Sequence, residues 1–272
     1  MPGPHTFAMA STKSWRFTAP ENLSVNSKFS IRYNPGNTTL SSRSLSLIAG
    51  KQLNTAYLWS VLTHLGSTGL MMPVLVISAT GLWQSFQKEA VRIWLIALAL
   101  AVMVTLATKV LFFGWGFGIS YLDFTGISGH TLLATSVLPV FFSWLLASEE
   151  QRISLAGAGF GLLLGAGVGV SRVALDTHTH SEVVSAWILG MAVSVLALNA
   201  MKGTIQRPWF ARLSPLVLLL AFGTSTSEYL PTHDWEVKAS LLLSGNSKPY
   251  TRHHLQKQAK LGQSSLGRFM AD

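Results

Sequence analysis

The sequence contains no cysteine, and only 11% of its 272 residues are charged. The absence of cysteine excludes disulfide bonds, thiolate metal ligands and a cysteine nucleophile. Soluble domains carry roughly a quarter charged residues, so the shortage of charge argues against an ordinary soluble domain. It indicates a chain that is folded against lipid.

Long uncharged runs recur through the middle of the chain. A helix needs roughly 17–25 apolar residues to cross the hydrocarbon core of a bilayer. Five runs reach or approach this length and a sixth is shorter: Leu65–Trp83, Ile93–Thr108, Thr131–Ala147, Ile153–Val170, Val183–Met201 and Leu213–Ser227. We therefore predict an all-α, polytopic membrane bundle with five to six transmembrane helices.

Both ends of the chain lack such runs. Residues 1–52 are rich in Ser, Asn, Thr, Gly and Pro and have no signal-peptide core, which predicts a disordered tail. Residues 53–230 are predicted to form the membrane domain, and residues 231–272 a basic tail with a possible interfacial helix. The formal net charge of +9 is concentrated in these ends. Without any nucleic-acid-binding motif, it favours anionic lipid headgroups as partners.

Four glycines recur at intervals of four residues within Ile153–Val170. They are Gly157, Gly161, Gly165 and Gly169. This spacing places them on one face of a helix, where they allow a neighbouring helix to approach closely. We predict a tightly packed bundle helix and assign it no chemical role.

The charges of the loops predict the orientation of the bundle. Two loops are basic, Gln84–Arg92 and Lys202–Arg212, and alternating spans place them on the same side. That side is cytoplasmic according to the positive-inside rule. The segments Lys109–His130 and Ser171–Glu182 are then expected to lie together on the outer face.

These two outer segments hold five of the fourteen charged residues between positions 53 and 227, together with three histidines. Ionisable groups at membrane depth are candidates for function. Lys109 and Arg172 supply fixed positive charge, and arginine can grip an oxyanion through two parallel hydrogen bonds. The stretch "GISGH", which ends at His130, is predicted to begin a helix. A helix N-terminus offers N–H groups to an anion, Ser128 adds a hydroxyl, and Gly129 permits close approach.

Two histidines on different segments suggest nucleophilic catalysis at phosphorus. One imidazole would attack the phosphorus atom and the other would protonate the departing oxygen. The attacking imidazole needs a carboxylate to fix its tautomer, and Glu182 follows His178 by four residues.

In these residues the chain resembles the type 2 phosphatidic acid phosphatase (PAP2) superfamily, which shares its site with vanadium haloperoxidases. The family has three motifs, K-x6-R-P, P-S-G-H and S-R-x5-H-x3-D. The third is present from Ser171-Arg172 through His178 to Glu182, and the second reads Ile-Ser-Gly-His at 127–130. The first survives only as Lys109, as in a bacterial subgroup that lacks this Arg, because Gly116 and Phe117 replace Arg and Pro.

The resemblance implies a bundle of the PAP2 type and a role for each motif residue. His178 would be the nucleophile that forms a phosphohistidine, Glu182 its orienting carboxylate and His130 the general acid. The phosphate would be bound by Lys109, Ser128, Gly129 and Arg172, with no metal or other cofactor.

The implied substrate is a membrane lipid with a phosphate or pyrophosphate headgroup. Undecaprenyl pyrophosphate, phosphatidylglycerol phosphate and phosphatidic acid are all candidates, and the sequence does not choose among them. The implied location is a bacterial inner membrane, with the site facing the periplasm.

Other interpretations remain open at this stage. Asp176, His178, His180 and Glu182 alternate and on an extended segment would present four metal-ligand side chains to one side. The protein could also be impaired by the loss of the Arg and bind lipid phosphate, or a partner, without turnover. Glu182 could serve only to cap the next helix, and Lys109 could simply extend to the interface at the end of its span.

Overall fold

In this computed structural model, the described residues are 55–147, 154–202 and 232–257. Apart from a 3-10 turn at Ser120–Leu122, their regular elements are α-helices: α1 (55–64), α2 (Thr68–Gln84), α3 (Lys88–Trp115), α4 (Gly129–Leu145), α5 (Leu155–Ala174), α6 (His180–Ala200) and α7 (Thr232–Ser244). Residues 252–257 are also helical. The predicted tail 1–52 and the predicted run Leu213–Ser227 lie outside the described residues.

Among the residues that the structure describes, four helical stretches are long and apolar enough to cross a membrane. They are Thr55–Gln84, which joins α1 to α2 through a short turn, and the helices α3, α5 and α6. The shorter α4 has 17 residues and is also apolar. These lengths support an integral membrane protein and confirm the predicted all-α, polytopic membrane bundle.

Helix α4 is the central element of the bundle. Twelve of its 17 residues are buried, and none is exposed. Trp144 and Phe141 are fully buried, and the indole N–H of the buried Trp94 on α3 donates to the Ser136 carbonyl at 3.0 Å. A helix that is apolar on all sides belongs inside a protein core. Its neighbours therefore separate α4 from lipid.

The glycine face of α5 packs against α4, as the spacing predicted. A Cβ atom added at Gly161 would lie 2.5 Å from the backbone of Leu138 and Pro139, and one at Gly165 would lie 2.6 Å from Thr135 Cγ2. Only glycine permits backbones to approach this closely. The two helices are thereby held in a fixed register, which matters because both carry site residues at their ends.

Gln87 fixes one end of the bundle. Its side-chain amide donates to the Lys202 carbonyl and accepts a 2.9 Å hydrogen bond from the Lys202 N–H. The turn after α2 and the end of α6 therefore lie together, as the loop charges predicted for the two basic loops. The end of α3 and the start of α4 lie at the opposite end of the bundle.

Candidate functional site

The two polar segments meet at the other end of the bundle. The Ser181 hydroxyl donates to the Leu122 carbonyl at 2.9 Å, and the Thr179 hydroxyl donates to the Asp123 carbonyl at 3.3 Å. The Ser128 N–H donates to the Glu182 carbonyl at 3.3 Å. The end of α3, the start of α4 and the α5–α6 turn thus form one surface, as the topology predicted.

The turn between α5 and α6 presents His178 to Glu182. The Arg172 carbonyl at the end of α5 accepts hydrogen bonds from the N–H groups of Thr177 (3.0 Å) and His178 (3.3 Å). Thr179 then precedes α6 as its N-cap residue. His178 Nδ1 lies 2.7 Å from Glu182 Oε2. Because a carboxylate can only accept, Nδ1 carries the proton, which leaves Nε2 with a lone pair.

Glu182 is fully buried and is bonded through both oxygens. Oε2 accepts from His178 and also from the Thr179 N–H at 3.2 Å, which is the capping contact that the sequence suggested. Oε1 accepts from the Thr125 N–H (2.8 Å), the Thr125 hydroxyl (2.6 Å) and Arg252 Nη2 (2.9 Å). The carboxylate therefore caps α6 and orients His178 at once.

The environment of His178 favours its neutral form. Burial lowers the pKa of His178 below its ordinary value of 6.5, although the hydrogen bond that His178 donates to Glu182 and the negative charge of Glu182 act in the opposite direction. The positive charge of Arg172 lowers this pKa further. A neutral imidazole whose Nδ1 proton is held by a carboxylate is suited to act as a nucleophile through Nε2.

A cavity of about 1010 Å³ opens beside this pair. Its polar residues include Lys109, Thr125, Gly129, His130, Arg172, Thr177, His178, Glu236 and Arg252. Its apolar residues include Met72, Val102, Leu106, Val110, Leu132, Leu133 and Trp235. A large apolar wall with a few convergent polar groups is typical of a ligand site.

The predicted phosphate-binding residues are placed differently from one another. Gly129 begins α4 and lines the cavity, where an added Cβ would meet nothing within 4 Å. Arg172 lines the cavity and its Nη1 donates to the Thr63 hydroxyl at 3.2 Å. Ser128 is fully buried outside the cavity lining, and its hydroxyl lies 3.1 Å from the Thr131 hydroxyl. The structure thus brings Gly129 and Arg172 to the cavity and leaves the Ser128 side chain behind it.

Lys109 has a partner that the sequence did not reveal. Its Nζ lies 2.9 and 3.0 Å from the two carboxylate oxygens of Glu236 on α7. The side chains are only 17% and 11% exposed. Lys109 therefore points into the bundle and does not extend along the end of its span toward the interface.

Two site residues, Glu236 and Arg252, lie beyond the predicted membrane domain. The sequence predicted only a basic tail with an interfacial helix there, without any chemistry. In the sequence, these two residues stand out only as charged residues in or near an amphipathic stretch, and that pattern does not specify which residues they contact. Residues of α7 and residues 249–252 line the cavity. Glu236 contacts Lys109, and Arg252 contacts Glu182.

The four alternating residues between positions 176 and 182 do not converge on a common site. Asp176 and His180 are exposed, whereas His178 and Glu182 face each other across the start of α6. Across residues 55–147, 154–202 and 232–257, no group of three or more His, Asp or Glu side chains is arranged to hold a metal ion.

Comparison with known proteins gives two matches. Residues 111–206 match the model of the PAP2 superfamily. An "Uncharacterized 22.5 kDa protein in cps region" from Klebsiella pneumoniae is 29% identical over 214 residues, which cover 74% of this chain and 99% of that protein. No solved structure matches the chain.

The family match includes His130, Arg172, His178 and Glu182, and it begins just after Lys109. The second and third motifs, which suggested the resemblance, are thus inside the matched region, and residues 232–257 are outside it. Residues 111–206 are therefore similar to the PAP2 superfamily.

Proposed function

We propose that the protein is a membrane phosphatase that hydrolyses the phosphate or pyrophosphate of a lipid headgroup through a phosphohistidine intermediate. The observation that carries this proposal is the His178–Glu182 pair at the polar end of an apolar cavity, which His130 and Arg172 also line. The match of residues 111–206 to the PAP2 superfamily model supports a phosphatase-type activity.

The reaction proceeds in two displacements. His178 Nε2 attacks phosphorus, and the bond from phosphorus to the lipid oxygen breaks while His130 gives its proton to that oxygen. Water then attacks the phosphohistidine, His130 accepts a proton from this water, and the phosphorus–nitrogen bond breaks. Glu182 holds the His178 Nδ1 proton throughout and stabilises the imidazolium character that develops.

The charged and backbone groups bind the phosphate. Arg172 and Lys109 provide positive charge, and N–H groups at the start of α4, where Gly129 leaves room, face developing negative charge on the phosphate oxygens. These interactions need no metal ion. Lys109 reaches the phosphate only when the anion competes successfully with Glu236.

The walls of the cavity favour a substrate with an apolar tail. Part of the apolar wall comes from α3 and α4, which contribute Val102, Leu106 and Leu133. This wall continues the polar end of the cavity as an apolar surface. A tail that stays in the bilayer while its headgroup reaches His178 fits this arrangement. The loop charges support a site on the side of the membrane away from the cytoplasm, which is the periplasm if the membrane is the bacterial inner membrane that the family resemblance implies.

The decisive experiment measures phosphate release by the purified protein from short-chain phosphatidic acid and from polyprenyl pyrophosphate, in the presence of EDTA. We expect turnover, and we expect His178→Ala to abolish it. The matched control is His180→Ala, which removes an exposed imidazole two residues away and should retain full activity. Activity that requires a divalent ion, or that survives His178→Ala in a folded protein, would refute the proposed mechanism.

A second candidate function is lipid-phosphate binding without turnover. It is favoured by one observation, the ion pair that already occupies Lys109 at the polar end of the cavity. This function predicts saturable binding of a lipid phosphate that His178→Ala leaves unchanged. No phosphate would be released from any substrate offered.

A further inference from the structure

The segment that follows α7 is fastened to the end of α3. The chain turns at Gly245, which has a φ of +71°. The Asn246 side-chain amide then donates to the Gly114 carbonyl at 2.6 Å, and the Tyr250 N–H donates to the Phe113 carbonyl at 2.9 Å. These contacts cross more than a hundred residues of sequence and fix residues 245–252 against the site.

Tyr250 covers the position at which the first motif has lost its arginine. Gly116 ends α3 with a φ of +75°, and a Cβ added there would lie 2.9 Å from Tyr250 Cδ1. The ring thus occupies the space that a side chain at position 116 would need. Two residues further along, Arg252 brings a guanidinium to the site from a different part of the chain.

Arg252 joins two carboxylates. Its Nη2 donates to Glu182 Oε1 at 2.9 Å and to the Thr125 hydroxyl at 3.2 Å. Its Nη1 donates to Asp123 Oδ2 at 3.2 Å. The planar fork of arginine is suited to such a bridge, because its donors point in fixed directions. Arg252 also lines the cavity.

We propose that Arg252 is a positioning residue of the active site, which holds the Glu182 carboxylate in the orientation that fixes His178. This inference rests on the proposed phosphatase function for its kinetic consequence. The two oxygens of Glu182 have different hydrogen-bond partners. Oε2 accepts from His178, and Oε1 accepts from Arg252 and Thr125. Without the guanidinium, Thr125 is, within residues 55–147, 154–202 and 232–257, the remaining hydrogen-bond partner of Oε1, and the buried carboxylate loses the positive charge of Arg252.

The kinetic test compares Arg252→Ala and Arg252→Lys with the unchanged protein. We expect Arg252→Ala to lower kcat by about ten- to a hundredfold, the loss that follows when an outer partner of a carboxylate–histidine pair is removed, with little change in KM. Arg252→Lys should recover part of this loss, because it restores the charge but not the fork. A kcat within threefold of the unchanged protein, or an effect on KM alone, would overturn the proposal.

The matched control is Lys257→Ala, which removes a positive charge from an exposed position of the same helical stretch. It should leave kcat and KM unchanged. An equal loss of kcat in Lys257→Ala and Arg252→Ala would attribute the effect to general charge and would also overturn the proposal.

A second measurement does not depend on turnover. Histidine labelled with ¹⁵N allows the His178 Nδ1 proton, which a carboxylate acceptor shifts downfield, to be followed by NMR in detergent. We expect this signal to move or disappear in Arg252→Ala and to persist in Lys257→Ala. An unchanged signal in Arg252→Ala would overturn the positioning role. Absence of turnover in the unchanged protein, with the signal present and sensitive to Arg252, would instead refute the proposed function alone.

Discussion

Lys109 Nζ lies within 3.0 Å of both carboxylate oxygens of Glu236, in an ion pair that is largely buried. The Glu236 carboxylate thus pairs with the same ammonium group that a phosphate headgroup would bind. Helix α7 therefore holds an internal anion at the polar end of the cavity, and a substrate must displace it to reach Lys109.

We expect Glu236→Gln to strengthen the binding of lipid phosphate. The amide keeps the size of the side chain but removes the charge that competes for Lys109. The KM for a short-chain lipid phosphate should fall by about three- to tenfold, on the scale of one partly desolvated charge contact, with kcat little changed. Steady-state kinetics in detergent measure both constants.

The matched control is Asp234→Asn, which removes an exposed negative charge from the same helix. Its KM should equal that of the unchanged protein. If Glu236→Gln leaves KM unaltered, Lys109 does not take part in substrate binding.

We expect Glu182→Gln to lower kcat by about a hundredfold or more, because the amide can offer its NH2 group to Nδ1 and so favour the wrong tautomer of His178. Glu182→Asp should also lose activity. Its carboxylate is one methylene shorter, and a buried group that is anchored by Thr125 and Arg252 cannot shift to restore the 2.7 Å contact. Single-turnover kinetics would separate this chemical step from product release, and full activity in Glu182→Gln would contradict the orienting role.

The pH dependence of the reaction should follow His178. Its neutral form is the proposed nucleophile, and burial lowers the pKa of His178 below its ordinary value of 6.5. Half-protonation of His178 is therefore expected at a pH below 6.5. The acidic limb of kcat/KM, which reports groups of the free enzyme, should have its midpoint below pH 6.5. Profiles from pH 4.5 to 8 with a fixed ionic strength test this, and a midpoint above 6.5 would contradict it.

We expect Gly161→Ala to destabilise the bundle. The added methyl group would lie 2.5 Å from the backbone of Leu138 and Pro139, which no rotamer can relieve. Forcing α5 away from α4 should cost about 1–3 kcal/mol, as is typical of overpacked cores. Thermal unfolding in detergent measures the effect.

Gly159→Ala is the matched control, because its Cβ would meet nothing within 4 Å on the same helix. It should be neutral or stabilising by up to about 1 kcal/mol, since alanine favours a helix over glycine. Equal losses at both positions would mean that the glycine face does not set the packing of α5.

The sequence predicted the parts of the site that depend on local spacing and on topology. His178 lies in the turn just before α6 and Glu182 in the first turn of that helix, so the capping geometry that the sequence suggested turns the carboxylate back toward His178. Lys109 and His130 reach the same cavity because α3 ends and α4 begins at one end of an alternating bundle. The predicted glycine face also followed from its period of four residues.

The remaining contacts could not be predicted from the sequence, because they depend on how distant segments pack. Arg252 lies 70 residues from Glu182, and Glu236 lies 127 residues from Lys109. No period or motif relates such pairs. The phosphate contact of Ser128 stays a prediction from its motif position, and the position of its hydroxyl, 3.1 Å from the Thr131 hydroxyl, could not be predicted from the motif.

Because its neighbours separate α4 from lipid, His130 lies in the first turn of a helix that is supported by protein and not by the bilayer. The outer helices are the ones expected to respond to the thickness and fluidity of the bilayer, because no residue of α4 is exposed and twelve of its residues are buried by other parts of the protein. The positions of the site residues should accordingly depend on packing within the protein and not on the state of the bilayer. Lipid composition would then govern how readily a substrate enters the cavity, but not how well the two histidines are placed once it has arrived.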